Sequence, residues 1–321
     1  MAERRPGTGA QITRITRRAL VQGAVAAAAV ASLPVPAAES TAQNTILRAI
    51  PSTGERIPVV GIGANAYDVE SAADIAERRA VLREFPALGG RVIDTARGYG
   101  RSEVVIGQLL AELGNRERFF IATKPVSAPQ GAGVIDRRLV DESFTSLRTG
   151  MIDLLQVHSL VRFDDVMPLL REYQQEKRVR YIGATTAAPR QHAEFLAVMR
   201  KHRLDFVQVD YSIANREAAN DLLPIARERG IAVLNNVPLG GRNASLFPRV
   251  AGKPLPAFAA EFGASTWAQF MLKYNLSHPA ITAVIPGTTN VEHLRDNQAA
   301  GRGRLPDASM RRRMEQYWDA L

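Results

Sequence analysis

The chain has 321 residues, 46% hydrophobic and 23% charged, the proportions of an ordinary globular protein with room for one large α/β domain or two small ones. It contains no cysteine, which excludes structural disulfides, thiolate metal sites and iron–sulfur clusters. The formal charge is +9, but five arginines against one glutamate in residues 1–38 supply four of those charges; the other five are spread without a basic block, so nucleic acid is not an expected partner.

Residues 1–38 have the anatomy of a signal segment. Arg4, Arg5, Arg14, Arg17 and Arg18 make a basic front end, and Ala19 to Leu33 is a mostly apolar, Ala-rich run. Small residues around Pro36-Ala37-Ala38 suit cleavage. The run is too short and too weakly hydrophobic for a stable membrane span. Arg17-Arg18, preceded by Thr16 and followed by Ala19-Leu20, resembles a twin-arginine export signal. That implies export machinery as a partner and a periplasmic or otherwise exported bacterial protein.

A domain is expected over residues 46–321, where strand-like and helix-like segments alternate. The predicted pairs are VVGIGA (59–64) with a helix at 71–84, VID (92–94) with 102–113, FFIAT (119–123) with 137–147, and DLLQVH (153–158) with 164–176. They continue with VRYIGA (179–184) and 190–202, FVQVD (206–210) and 216–229, IAVLNN (231–236) and 266–274, and ITAVIP (281–286) and 291–300. Apolar runs without alternation suit strands buried on both faces of a parallel sheet. Eight such units over roughly 250 residues are the size of a (β/α)8 TIM barrel. A doubly wound sheet is the competitor, but Gly61 and Gly63 sit in a strand and lack the third glycine of a dinucleotide fingerprint.

Three consecutive apolar runs lead into titratable residues: Asp94 (with Tyr99 in the following loop), Lys124 and His158. Barrel enzymes keep their chemistry at the ends of the strands, and buried Lys and His are costly unless paired or used. Together they make a proton-transfer site. Reducing a carbonyl by hydride transfer leaves an alkoxide that needs a proton. Tyr99 is the candidate general acid, with Lys124 expected to lower its pKa, Asp94 to hold Lys124, and His158 to fix and polarise the carbonyl oxygen. No metal takes part in this chemistry.

The stretch Asp94-Thr95-Ala96, Tyr99-Gly100, Ser102-Glu103 and Ile106-Gly107, followed by the Lys124 and His158 strands, Gln208 to Arg216 and Ile285 to Asn297, resembles the aldo-keto reductase family in motif and order. The resemblance implies a nicotinamide dinucleotide, NADP or alternatively NAD, and a small carbonyl or sugar substrate. It assigns Gln208 to the carboxamide contact, Thr185-Thr186 to a position often Ser-Asn, and Asn236 to a place where an aromatic commonly stacks on the nicotinamide. It places Leu239 and Gly240 (with Gly241) along the pyrophosphate. Gly287-Thr288-Thr289 can hold a phosphate through backbone amides and hydroxyls. Gly287 and His293 stand where many relatives carry Lys and Arg, Arg295 is a nearby cation, and Asp296 and Asn297 match the adenine-side pair. The expected substrate rim is Asn65, Tyr67, Leu160, Arg162, Phe163, Arg242 and Trp318, and Arg97 is either a solvated loop charge or a greeter of anionic substrates. The C-terminal segment either covers the barrel mouth or packs on its outside. A dinucleotide-loaded redox-sensing subunit with little turnover is the alternative to an enzyme.

Overall fold

The computed structural model describes residues 44–127, 133–241 and 244–321; residues 1–38, the expected signal segment, and Arg242 lie outside the described residues. A hairpin opens the described chain, with β1 (Leu47–Ala49) antiparallel to β2 (Arg56–Pro58). Strand and helix then alternate: β3 (Ile62–Gly63), α1 (Ala72–Glu84), β4 (Val92–Asp94), α2 (Ser102–Leu113), β5 (Phe120–Thr123), α3 (Arg137–Leu147), β6 (Ile152–Val157) and α4 (Phe163–Gln175). The second half runs β7 (Val179–Thr185), α5 (His192–Lys201), β8 (Phe206–Asp210), α6 (Leu222–Glu228), β9 (Ala232–Asn236), α7 (Phe247–Val250), α8 (Trp267–Leu276), β10 (Ala283–Val284), α9 (Val291–Ala300) and α10 (Ala308–Asp319).

Strands β3 to β10 pair in sequence order, each parallel to the next. Parallel bridges Val60–Val284 and Gly63–Gly287 bring β3 back beside β10, and Gly61 N donates to Val284 O at 2.8 Å across that seam. The result is a nearly closed (β/α)8 barrel. Gly63 is required there, since a Cβ would lie 2.8 Å from the Ile285 carbonyl oxygen. No helix among the described residues is long and apolar enough to cross a membrane.

The period of two along each strand divides the core. Val92, Phe120, Leu154, Tyr181, Phe206, Ala232 and Ala283 point inward and pack with Ile50 and Ile57 of the hairpin end. Their neighbours point outward, where Ile93, Ile121, Leu155, Ile182, Val207 and Val233 meet the helices. Below the barrel, Glu55 in the hairpin turn accepts from the Tyr181 hydroxyl (2.8 Å) and pairs with Arg180, which also donates to Asp153 (2.8 Å). This end reads as stability, and the opposite end as chemistry.

The expected helix at 216–229 is shorter. A 3-10 turn covers Glu217–Ala219, and α6 restarts at Leu222 with the Asp221 carboxylate accepting from the Leu222 amide (2.6 Å). Pro224 explains the break, because proline fits a first turn but not a helix interior. Strand β6 ends at Val157, so His158 opens a 3-10 turn instead of closing the strand. In that turn Ser159 and Leu160 have φ of 50° and 58°, and Arg162 just beyond has 48°. Non-glycine residues with such backbones are costly and persist only where the surroundings hold them.

Candidate active site

The inward positions continue upward from the apolar layer by two residues per strand. Val92 leads to Asp94, Ala122 to Lys124, Leu154 to Gln156 and His158, Phe206 to Gln208, and Leu234 to Asn236. The alternation that packs the barrel therefore delivers its polar side chains to one mouth. All but Gln156, which stands behind the wall, line a cavity of about 510 Å³.

At its base Lys124 is almost completely buried, and its Nζ donates to Asp94 Oδ1 (2.9 Å), Asp94 Oδ2 (2.7 Å) and the Thr95 carbonyl (2.9 Å). The ammonium also lies 5.2 Å from the Tyr99 ring centre, close enough for its charge to act on the hydroxyl. The Tyr99 and His158 rings meet edge to face at 5.8 Å. Four residues from three βα units thus converge. The loop bearing Tyr99 is held by Ser102, whose hydroxyl donates to the Ala64 carbonyl and shares a bond with Thr95 Oγ1, both at 2.8 Å.

Burial by itself would lower the Lys124 pKa, but the Asp94 carboxylate and Tyr99 outweigh it and hold the ammonium above its ordinary value. For Tyr99 the largest influence is the Lys124 charge, which favours the phenolate; burial and Asp94 together exceed it, and the hydroxyl stands above its usual value. This corrects the expectation of a lowered tyrosine pKa: Lys124 acts in the expected direction but does not win. Burial, reinforced by the Lys124 charge, lowers the His158 imidazole to about 3, so it is neutral near pH 7 and donates from one nitrogen only.

The expected cofactor residues divide by position. Thr185, Gln208, Asn236, Leu239, Gly240, Gly287 and Thr289 line the cavity, as do Asn65, Ser159 and Phe247. Gln208 Nε2 donates to Asp94 Oδ2 (3.2 Å), Thr185 Oγ1 accepts from the Ser159 amide (3.0 Å), and Asn236 Nδ2 donates to the Thr186 carbonyl (3.0 Å). Thr186 turns away from the cavity toward Gln191 Oε1 (2.9 Å). Thr288 is buried behind the wall, its hydroxyl accepting from Asn297 Nδ2 at 3.1 Å. Asp296 accepts from Thr266 (2.9 Å) and Gln269 (2.7 Å), bracing α9 against α8. His293 lies in the first turn of α9, its amide held by Asn290, and Arg295 pairs with Glu84 of α1. Asp94 and Lys124 are the only charged side chains among the described lining residues, and each satisfies the other.

Several rim expectations change. Tyr67 is wholly buried and donates to the Thr288 carbonyl (3.1 Å). Leu160, Arg162 and Phe163 line a separate cavity between α4 and α5. Arg97 pairs with Glu142 of α3. Trp318 is buried among the residues outside the strands, with the Arg249 guanidinium 5.2 Å from its ring, so α10 packs on the outside of the barrel and not across its mouth. Sequence reasoning missed Phe247 and Ser245 in the lining and Gln156 behind it, none of which stands at the end of an apolar run.

Comparison with known proteins agrees with this fold. The chain is 26% identical to Protein tas of Escherichia coli over 317 residues, covering 77% of this chain and 90% of that protein. It is 28% identical over 287 residues to the oxidoreductase YrpG of Bacillus subtilis, covering 76% and 87% respectively. Among solved structures, its fold is similar to an aldo/keto reductase from Klebsiella pneumoniae in complex with NADP and acetate, with a TM-score of 0.67, 22% identity, and coverage of 83% of this chain and 93% of that one. The sequence profile of the Aldo/keto reductase family matches residues 59–317, nearly the whole of the barrel just described, and the chain belongs to that family.

Proposed function

We propose that this protein is an NADP(H)-dependent reductase of a small aldehyde, ketone or sugar, with Tyr99 as the proton donor. The observation that carries this reading is the buried Lys124 ammonium, bonded to both Asp94 oxygens and 5.2 Å from the Tyr99 ring centre at the base of an open cavity. Bound NADPH would supply the hydride, which no side chain can. Tyr99, kept protonated through the neutral range, gives its proton to the oxygen that gains charge. Lys124 eases that loss by favouring the phenolate, and Asp94 keeps Lys124 charged and aimed. His158, neutral and edge to face with the Tyr99 ring, donates a hydrogen bond to the same oxygen.

The dinucleotide fits the wall that runs from Gln208 through Asn236, Leu239 and Gly240 to Gly287 and Thr289. That wall is neutral and polar, and Asn236 Oδ1 is buried in it with no partner, a free acceptor. Thr186, Thr288, His293, Asp296 and Asn297 would support it from behind or at the adenine end. NADP is favoured over NAD because similar Klebsiella pneumoniae structures hold NADP and NADPH. Arg295 would then exchange Glu84 for the 2′-phosphate. A subunit that merely stored the dinucleotide would not need a proton donor poised beside its charged tuner. The test is steady-state turnover of an aldehyde, ketone and sugar panel with NADPH and with NADH. Turnover faster with NADPH is expected; binding of nucleotide without turnover on any member would contradict the reading. The leader is proposed to export the folded protein by the twin-arginine route.

A further inference from the structure

Gln156 is fully buried on the inward face of β6 and has no part in the chemistry above. Its Nε2 faces Asp94 Oδ1 at 3.5 Å and donates to Gln208 Oε1 at 3.3 Å, while Gln208 Nε2 donates to Asp94 Oδ2 at 3.2 Å. The three side chains close a ring. Asp94 sets its sense, because a carboxylate only accepts and both amides must turn nitrogen toward it. Once Gln208 points its nitrogen at Asp94, its oxygen needs a donor from elsewhere, and Gln156 provides one. The cost falls on Gln156 Oε1, which is buried with no partner. A methionine would fill nearly the same volume without an orphaned oxygen. That swap would, however, leave the buried Gln208 Oε1 without its donor, so the use of Gln156 lies in what it holds. Gln208 lines the cavity, whereas Gln156 stands behind it.

We infer that Gln156 is a positioning residue: together with Asp94 it locks the direction of the Gln208 amide, and so presents one hydrogen-bonding pattern to the dinucleotide. This rests on the dinucleotide reading given above. The ring also ties that wall to the ion pair that tunes Tyr99, since Asp94 belongs to both.

The test uses the full-length protein with Gln156→Met and Gln156→Glu, reading thermal midpoint, NADPH affinity by fluorescence titration, and kcat and KM for one reduced aldehyde. Gln156→Met moves the orphaned oxygen from Gln156 to Gln208, so the thermal midpoint should shift little while NADPH binding weakens about tenfold, the scale of one lost hydrogen bond. The aldehyde KM should not move. In Gln156→Glu the introduced carboxyl adjoins Asp94, so the two share a proton at low pH. That proton restores one donor, and NADPH binding should approach that of the parent at low pH and fall away as pH rises. A Gln156→Met protein with parental NADPH affinity would overturn the inference. Should Gln156→Met not fold, pH-independent NADPH binding in Gln156→Glu overturns it equally. A parent that binds neither NADPH nor NADH fails before any variant is compared, and removes the dinucleotide reading itself.

Discussion

Lys124 and Tyr99 show how a single charge can act in one direction while the site settles in the other. The ammonium favours the phenolate, yet burial and Asp94 leave the hydroxyl above its ordinary value near 10. The alkaline limb of the reduction rate, where Tyr99 ionises and ceases to donate, is therefore expected above pH 10. With His158 near 3, no inflection belongs to it in the usual histidine range. Lys124→Met removes the phenolate's stabiliser and should move that limb further up while lowering kcat. It also leaves the Asp94 charge unpaired in a buried setting, at a cost of about 3–5 kcal/mol that thermal denaturation reads separately. A limb that stays in place would show that Lys124 does not tune Tyr99. The sequence pointed to these four residues because each stands at or just past the end of an apolar run. It did not reveal the balance of their charges, which depends on how deeply each is buried. Gln156 was hidden for a related reason: one polar residue inside an apolar run reads as strand and not as site.

Among the elements, the eight barrel strands were legible because both faces of each are buried, so Val, Ile and Leu run on without alternation. The hairpin β1–β2 was not, since its strands are three residues each and β1 is half-exposed, leaving no period to read. The fate of α10 was open in the sequence, because Trp318 and Tyr317 suit a mouth or an outer groove equally; packing decides it. Gly107 belongs to this scale. It lies where α2 crosses the end of α3, and a Cβ there would be 2.2 Å from the Ser146 carbonyl oxygen and 2.7 Å from Leu147 backbone atoms. Backbone cannot give way as a side chain can. Gly107→Ala should cost about 1–3 kcal/mol and lower the thermal midpoint by several degrees. Activity per folded molecule should survive. A midpoint equal to the parent would mean that the two helices separate at no cost.

Over the whole molecule, buried neutral histidines set the acid side of stability. His278, beside Tyr211 and accepting from the Ala280 amide at 3.3 Å, is lowered to about 4, chiefly by burial. Between that value and about 6.5 the unfolded chain binds a proton that the folded chain refuses, so stability rises with pH across this window and levels off above it. His158 acts in the same sense. Thermal midpoints measured between pH 5 and 7 should fall with acidity in the parent and fall less in His278→Gln; equal slopes would contradict the assignment. The leader adds a prediction of its own. Arg17→Lys with Arg18→Lys preserves charge and apolar content, but guanidinium forks and ammonium points are not interchangeable to a receptor. The double variant should stay in the cytoplasm at full length, while the parent is found outside the inner membrane, shortened near Ala37 or Ala38. Normal export of the double variant leaves only a generic leader. The central claim, that Tyr99 donates the proton in carbonyl reduction, is tested most directly by Tyr99→Phe in single-turnover and steady-state reduction beside an NADPH titration. The account predicts that kcat falls by about 10²–10⁴ with NADPH affinity nearly unchanged, because only proton donation is lost; turnover equal to that of the parent would contradict it.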